Sequence, residues 1–124
     1  MEECTTYDKK SLKTVQGKTA DFQELAKDCV AFANAKGGYL HIGIEDGENL
    51  PPNNQRIDAA LPEKIIKRIN ELTINVGLQA SIVTAEHGGQ YINLKVFPSM
   101  ATVASTTKRQ SFYRDSDNSH PLFP

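Results

Sequence analysis

The 124-residue chain lacks the features that define several protein classes. It has no tryptophan and two cysteines, and neither Cys4 nor Cys29 stands in a CxxC pair or near a histidine at metal-ligand spacing. No apolar run approaches the roughly 18–20 residues that span a membrane, and the polar start MEECTTYDKK is not typical of a signal peptide. We therefore expect a cytoplasmic protein without membrane contact, in which Cys29 is a buried free thiol.

An excess of charge of one sign is also missing. Fourteen Lys and Arg residues against fifteen Asp and Glu residues give a formal net charge of −1. Domains that hold nucleic acid by bulk charge are usually strongly basic, so such a function would require a local basic face. The length suits one domain with a core, and we interpret residues 1–124 as a single domain that is the N-terminal part of a longer chain.

Apolar periodicity predicts two main helices. Residues 21–36 carry apolar side chains at helical spacing, begin at the capping residue Asp21 and end before Gly37. Residues 61–73 repeat the pattern, with Pro62 in the first turn. Each helix has one apolar stripe, so each is expected to pack on a sheet.

Strand signals lie between and after the helices. The segment YLHIGI, residues 39–44, alternates with Leu40, Ile42 and Ile44 on one face, and residues 80–97 read as a β-hairpin. The segments SLKTVQ and SFYR predict short strands, and residues 98–110 predict a mobile loop. We therefore expect an α+β (α/β-like) fold with a mixed β-sheet, and with the two helices on one face or on both.

The glycines and acidic residues near the first strand do not indicate a ligand site by themselves. Gly37 and Gly38 follow a helix, whereas a phosphate loop needs glycines before a helix N-terminus, so a helix cap is favoured. Glu45, Asp46 and Glu48 are typical of a solvated acidic turn, and their spacing does not fit an EF-hand. The three histidines are isolated and no GxSxG motif is present, so we predict no metal and no cofactor.

Two groups of basic residues are candidates for nucleic-acid contacts. The first lies on the polar side of the second helix and the second flanks the segment QSFY; together they are Lys64, Lys67, Arg68, Lys108, Arg109, Tyr113 and Arg114. Cations interleaved with aromatic rings can contact phosphates and stack on bases. A solvated helix face and an ordinary edge strand explain the same residues equally well.

The stretch VAFANAKGGYLHIGIEDGENLP resembles the Schlafen/Alba-type DNA-binding domain, which is often the N-terminal part of bacterial transcriptional regulators and helicase-related ATP-binding proteins. The positions that carry the resemblance include Asn34, Gly37, Gly38, Gly43, Asp46 and Gly47. In this family they form a structural motif. We expect Asn34 to bind neighbouring backbone through its amide, and Gly43 to allow close packing against the strand.

The resemblance implies a nucleic-acid-binding domain of a bacterial transcriptional regulator, with DNA favoured over RNA as the partner. Schlafen relatives that cut RNA use carboxylates before the first helix together with the Asp after the strand. Asp46 is kept here, but Ser11 stands roughly where a Glu is expected, so we predict a non-catalytic domain. Two alternatives stay open: a divalent-metal ribonuclease centred on Asp46 and Glu45, and an interaction or homo-oligomerisation module of a larger protein with a C-terminal ATP-binding domain.

Overall fold

The structure, a computed structural model, describes residues 7–99 and 104–106, together with the strand backbone of 111–115 and 118–122. Its helices are α1 (Phe22–Ala33) and α2 (Leu61–Leu72). Its strands are β1 (Tyr7–Lys10), β2 (Gly38–Ile42), β3 (Thr73–Ile74), β4 (Gly77–Thr84), β5 (Gln90–Phe97), β6 (Ser105–Thr106), β7 (Ser111–Asp115) and β8 (Asn118–Leu122). None of the helices in these ranges is long and apolar enough to cross a membrane.

The main sheet is mixed, as predicted, with the strand order β1-β2-β5-β4. Strand β1 runs parallel to β2, whereas β2 and β4 both pair antiparallel with β5. Leu40 lies opposite Leu94 and Ile42 opposite Ile92, so apolar side chains of neighbouring strands share one face. Two small ladders, β3–β6 and β7–β8, complete the α+β fold.

Both helices pack on the same face of this sheet. Leu40, Ile42 and Leu94 from the sheet belong to one buried cluster with Phe32 of α1 and Ile69 of α2. Cys29 also lies in this core as a free thiol, and burial raises its pKa well above the ordinary range. Because the apolar stripes of both helices are used on one side, neither helix covers the other side of the sheet.

The start of the chain differs from the prediction. The segment SLKTVQ is not a strand; it contains a 3-10 turn at Leu12–Thr14, a second 3-10 turn follows it at Gly17–Thr19, and the edge strand is β1 just before it. The Ser11 hydroxyl accepts a hydrogen bond from the Lys13 N–H at 3.2 Å, which favours a turn over an extended chain. Within the predicted loop 98–110, β6 forms a short ladder with β3.

Candidate nucleic-acid interface

Two glycines of the family motif flank β2, one before its first residue and one after its last, and both lie in close contact with β5. Gly37 has a φ of +79° and its N–H donates to the Phe32 carbonyl at 2.8 Å, which closes the helix as expected. Gly43 has a φ of +116°, and a Cβ there would lie 2.9 Å from the Gln55 amide nitrogen and 3.2 Å from Tyr91 Cβ. Gly43 therefore allows the close approach that the sequence predicted.

Asn34 links α1 to a segment that is distant in the sequence. Its side-chain nitrogen donates to the Ala104 carbonyl at 3.0 Å, and its side-chain oxygen accepts from the Ala104 N–H at 2.7 Å. Ala104 is fully buried, so its backbone groups cannot bind water instead. The asparagine amide thus satisfies a donor and an acceptor 70 residues away.

We expect Asn34→Ala to lower the free energy of unfolding by about 2–3 kcal/mol, because it leaves a buried N–H and a buried C=O without the amide that binds them. Urea unfolding followed by circular dichroism measures this loss. Asn70→Ala, which removes the same side chain from an exposed position of α2, should stay within about 0.5 kcal/mol of the parent. Equal losses in the two variants would contradict the role given to the Asn34 amide.

The acidic turn after β2 is solvent-exposed. Glu45, Asp46 and Glu48 line a shallow depression of about 540 Å³ together with His87. Within the described part of the chain, no group of three or more His, Cys, Asp or Glu side chains is arranged to hold a metal ion. Asp8, on β1, lies in register with Leu40 and so occupies the helix-covered side of the sheet.

The predicted cations of α2 lie on its outer side among acidic residues. Lys64 and Lys67 are exposed, and Arg68 is paired with Glu71 at 2.6 Å while its guanidinium lies 5.5 Å from the centre of the Phe22 ring. Glu71 also lines a groove with Lys67, so this face is only weakly positive.

The C-terminal part of the predicted site is only partly described. Lys108 and Arg109 lie outside the described residues. Tyr113 and Arg114 belong to β7, whose backbone lies next to α1.

A second candidate surface is the outward side of the main sheet, which we name the open sheet face. Its aromatic residues come from β1, β2 and β5, its two cations are lysines, and its other side chains are uncharged. The members are Tyr7, Tyr39, His41, Tyr91 and Phe97, then Lys9 and Lys95, then Asn93, Gln79, Ser81 and Val83. None of the described residues with an outward side chain in these four strands is an Asp or a Glu.

Three rings of the open sheet face form a continuous row across three strands. The centroid of His41 lies 5.3 Å from that of Tyr7 and 5.3 Å from that of Tyr91, with tilted planes. Burial and the nearby Lys9 ammonium lower the pKa of His41, so its ring is neutral at physiological pH. Beside this row, Tyr39 and Phe97 are 40% and 38% exposed.

The two lysines of the open sheet face keep their charge available. Lys95 Nζ lies 4.8 Å from the centre of the Phe97 ring, and Lys9 Nζ donates to the backbone carbonyl of Glu48 at 2.5 Å. Among the described residues, neither lysine forms an ion pair with a carboxylate. Next to Lys9, the positive surface ends at the acidic turn that contains Glu48.

Comparisons with known proteins agree with the resemblance read from the sequence. Residues 3–123 match the model of the family described as Schlafen, AlbA_2. Among solved structures, the DIP2311 protein from Corynebacterium diphtheriae is similar in fold, with a TM-score of 0.67 and 20% sequence identity. The match covers 95% of this chain and 25% of that one, so this chain spans a quarter of the length of that protein. No curated protein matches the chain.

Proposed function

The chain belongs to the Schlafen, AlbA_2 family, and from this premise we propose that it is a non-catalytic nucleic-acid-binding domain of a bacterial transcriptional regulator. The observation that carries the proposal is the open sheet face, where aromatic rings and two lysines occur without a carboxylate. Phosphates are bound by cations, and bases by aromatic rings. A near-neutral protein needs such a local surface because its total charge supplies no attraction.

A second set of phosphate contacts is proposed on α2. Lys64 and Lys67 are exposed, whereas Arg68 is already paired with Glu71. An exposed ion pair is worth little, so a phosphate could replace Glu71 as the partner of Arg68. In this proposal Lys108, Arg109, Arg114 and Tyr113 extend the contact region from the C-terminal segment. Phosphate contacts would set affinity and orientation without reading sequence.

The proposal predicts weak, strongly salt-dependent binding. Each lysine that contacts a phosphate contributes roughly 0.7 to the slope of log affinity against log salt for a single strand, and roughly 0.9 for a duplex. We expect Lys9→Gln/Lys95→Gln to reduce the slope by about 1.4 on single strands, and Lys64→Gln/Lys67→Gln to reduce it by a smaller amount because acids surround α2. Fluorescence anisotropy with labelled oligonucleotides, from low to physiological salt, measures these slopes.

The matched control is Lys13→Gln, which removes one exposed positive charge from a 3-10 turn outside both surfaces. Its salt slope should equal that of the parent. Absence of binding to duplex and single strands at low salt, or a salt slope near zero, would overturn the proposal. Incubating the parent with labelled RNA and Mn²⁺ or Mg²⁺ tests the non-catalytic part, since cleavage that is lost in Asp46→Ala would assign a ribonuclease instead.

A further inference from the structure

The row of rings on the open sheet face offers a surface on which unpaired bases can stack. We infer that this face binds a single strand, with unpaired bases stacked on Tyr7, His41 and Tyr91 and the backbone phosphates near Lys9 and Lys95. The inference rests on the proposed nucleic-acid-binding function and names its substrate class and its surface. It treats the cations of α2 as secondary.

The chemistry of the row favours unpaired bases. In a duplex the base faces are stacked on each other, so aromatic rings on a sheet cannot stack on them. A single strand offers a free π-face at every base, and stacking on an aromatic side chain is worth about 1–3 kcal/mol per base. Because His41 is neutral at physiological pH, its imidazole contributes to this stack as a ring rather than as a cation.

The ring spacing indicates how the bases would lie. Enclosing a base between two parallel rings needs about 7 Å between the ring planes, which is two van der Waals contacts. Centroids 5.3 Å apart with planes tilted by 41° and 60° leave no such slot. The bases therefore lie over the outward surfaces of the rings, as on a platform, and are not inserted between them.

Charge complementarity separates this occupant from a second copy of the chain. A two-fold interface made by this face would bring the same patch against itself, placing Lys9 and Lys95 against a surface whose described strand residues include no carboxylate. A polyphosphate backbone has the opposite sign and meets no repulsion there. The acidic turn next to Lys9 further favours a strand whose phosphates approach from the Lys95 side.

The protein provides its own reporter for stacking. It has no tryptophan and four tyrosines, of which Tyr7, Tyr39 and Tyr91 lie on the open sheet face. We therefore expect oligo(dT) and oligo(U) to quench the tyrosine fluorescence of the unmodified 124-residue chain. A duplex of the same length should leave this emission nearly unchanged.

The decisive variants are Tyr91→Leu, which keeps an apolar side chain and removes the ring, and Tyr91→Phe, which keeps the ring. We expect Tyr91→Leu to weaken single-strand binding by about 5- to 100-fold and to leave duplex binding unchanged, whereas Tyr91→Phe binds like the parent. Thermal unfolding checks that each variant is folded. If Tyr91→Leu fails to fold, the tyrosine quenching of the unmodified chain by single strands, compared with duplex, still tests the inference.

The outcomes separate the two proposals. No binding of any oligonucleotide at low salt overturns both the function and this inference. Binding that is equal for duplex and single strands, or that falls with Lys64→Gln/Lys67→Gln but not with Tyr91→Leu, overturns only the single-strand inference. A dimer in solution that Tyr91→Leu dissociates would assign the face to a second copy. Comparing oligo(dT) with oligo(U) shows whether the strand is DNA or RNA.

Discussion

Gly37→Ala should lower the free energy of unfolding by roughly 3 kcal/mol. The backbone of Gly37 is left-handed, with a φ of +79°, which costs an L-residue about 1–2 kcal/mol. The added Cβ would also lie 2.7 Å from the Val96 carbonyl oxygen and 2.9 Å from Pro98 Cδ, and overpacking of this kind costs about 1–3 kcal/mol.

Gly17→Ala is the matched control for this substitution. Gly17 has a similar φ of +69°, but a Cβ there would meet nothing within 4 Å. It should therefore lose only the conformational part, about 1–2 kcal/mol. Urea unfolding of both variants gives the difference, which measures the contact with β5. Equal losses of stability in Gly37→Ala and Gly17→Ala would mean that β5 adjusts to the added methyl group without cost. Gly37 would then contribute only as the helix cap.

The effect of Gly37→Ala should extend to the proposed binding surface. Gly38, the first residue of β2, is in register with Val96, whose carbonyl meets the added methyl group. The same pairing places Tyr39 opposite Lys95 on the open sheet face. A shift of β2 against β5 would therefore separate the rings from the cation, and we expect single-strand affinity to fall together with stability.

Local patterns were sufficient to predict the helices and the inner strands. Each of these elements buries one face. Burial of one face produces the apolar stripes of α1 and α2 and the alternation of β2 and β5, and both patterns can be read from the sequence. The end of α1 was predicted three residues late, at 36 instead of Ala33, because Asn34 binds Ala104 and the chain turns before Gly37. That partner is 70 residues away and invisible to a local pattern.

Strand β1 was missed for a physical reason. Its side chains on the helix-covered side are Asp8 and Lys10, so it carries no apolar alternation. Lys10 is accommodated there because it forms an ion pair with Asp28 of α1, and a sequence pattern cannot show such a pairing.

The candidate site could be predicted only in part. The alternation in β2 and β5 directs Tyr39, His41 and Lys95 to the side opposite the core residues Leu40, Ile42 and Leu94. Their convergence with Tyr7 depends on β1 and β5 both pairing with β2, which no local signal specifies. Cations clustered along one helix are easy to see in a sequence, so the α2 residues were favoured. The lysines of the open sheet face stand at positions 9 and 95, and only the sheet brings them to one surface.

Lys10→Met should destabilise the protein by about 3 kcal/mol at neutral pH, and the loss should shrink as the pH falls. Lys10 Nζ lies 2.7 Å from Asp28 Oδ2, and the Asp28 side chain is only 8% exposed. Burial already raises the pKa of Asp28 despite the opposing attraction of Lys10. Removing the ammonium takes that attraction away, so the carboxyl pKa rises further and its ionised form becomes costly.

The direction of the pH effect follows from proton linkage. A carboxyl group whose pKa is higher in the folded state than in the unfolded state takes up a proton on folding, so its contribution to stability improves as the pH falls through the folded-state pKa. The stability gain is complete once the pH reaches the unfolded-state pKa of an aspartate, about 3.9. The difference in free energy of unfolding between parent and variant, measured by urea unfolding at several pH values, should therefore narrow from neutral toward acidic pH.

Two further variants show whether the buried Asp28 carboxylate causes the loss of stability in Lys10→Met. Lys13→Met makes the same substitution at an exposed lysine. It should change the free energy of unfolding by less than about 0.5 kcal/mol at every pH. Lys10→Met/Asp28→Leu removes both charges and should recover most of the loss at neutral pH, because an apolar pair needs no compensation for burial. A loss in Lys10→Met that is the same at neutral and acidic pH would show that Asp28 is not responsible. Since β1 also carries Tyr7 and Lys9, a loss that follows Asp28 would mean that this ion pair holds an edge of the open sheet face against α1.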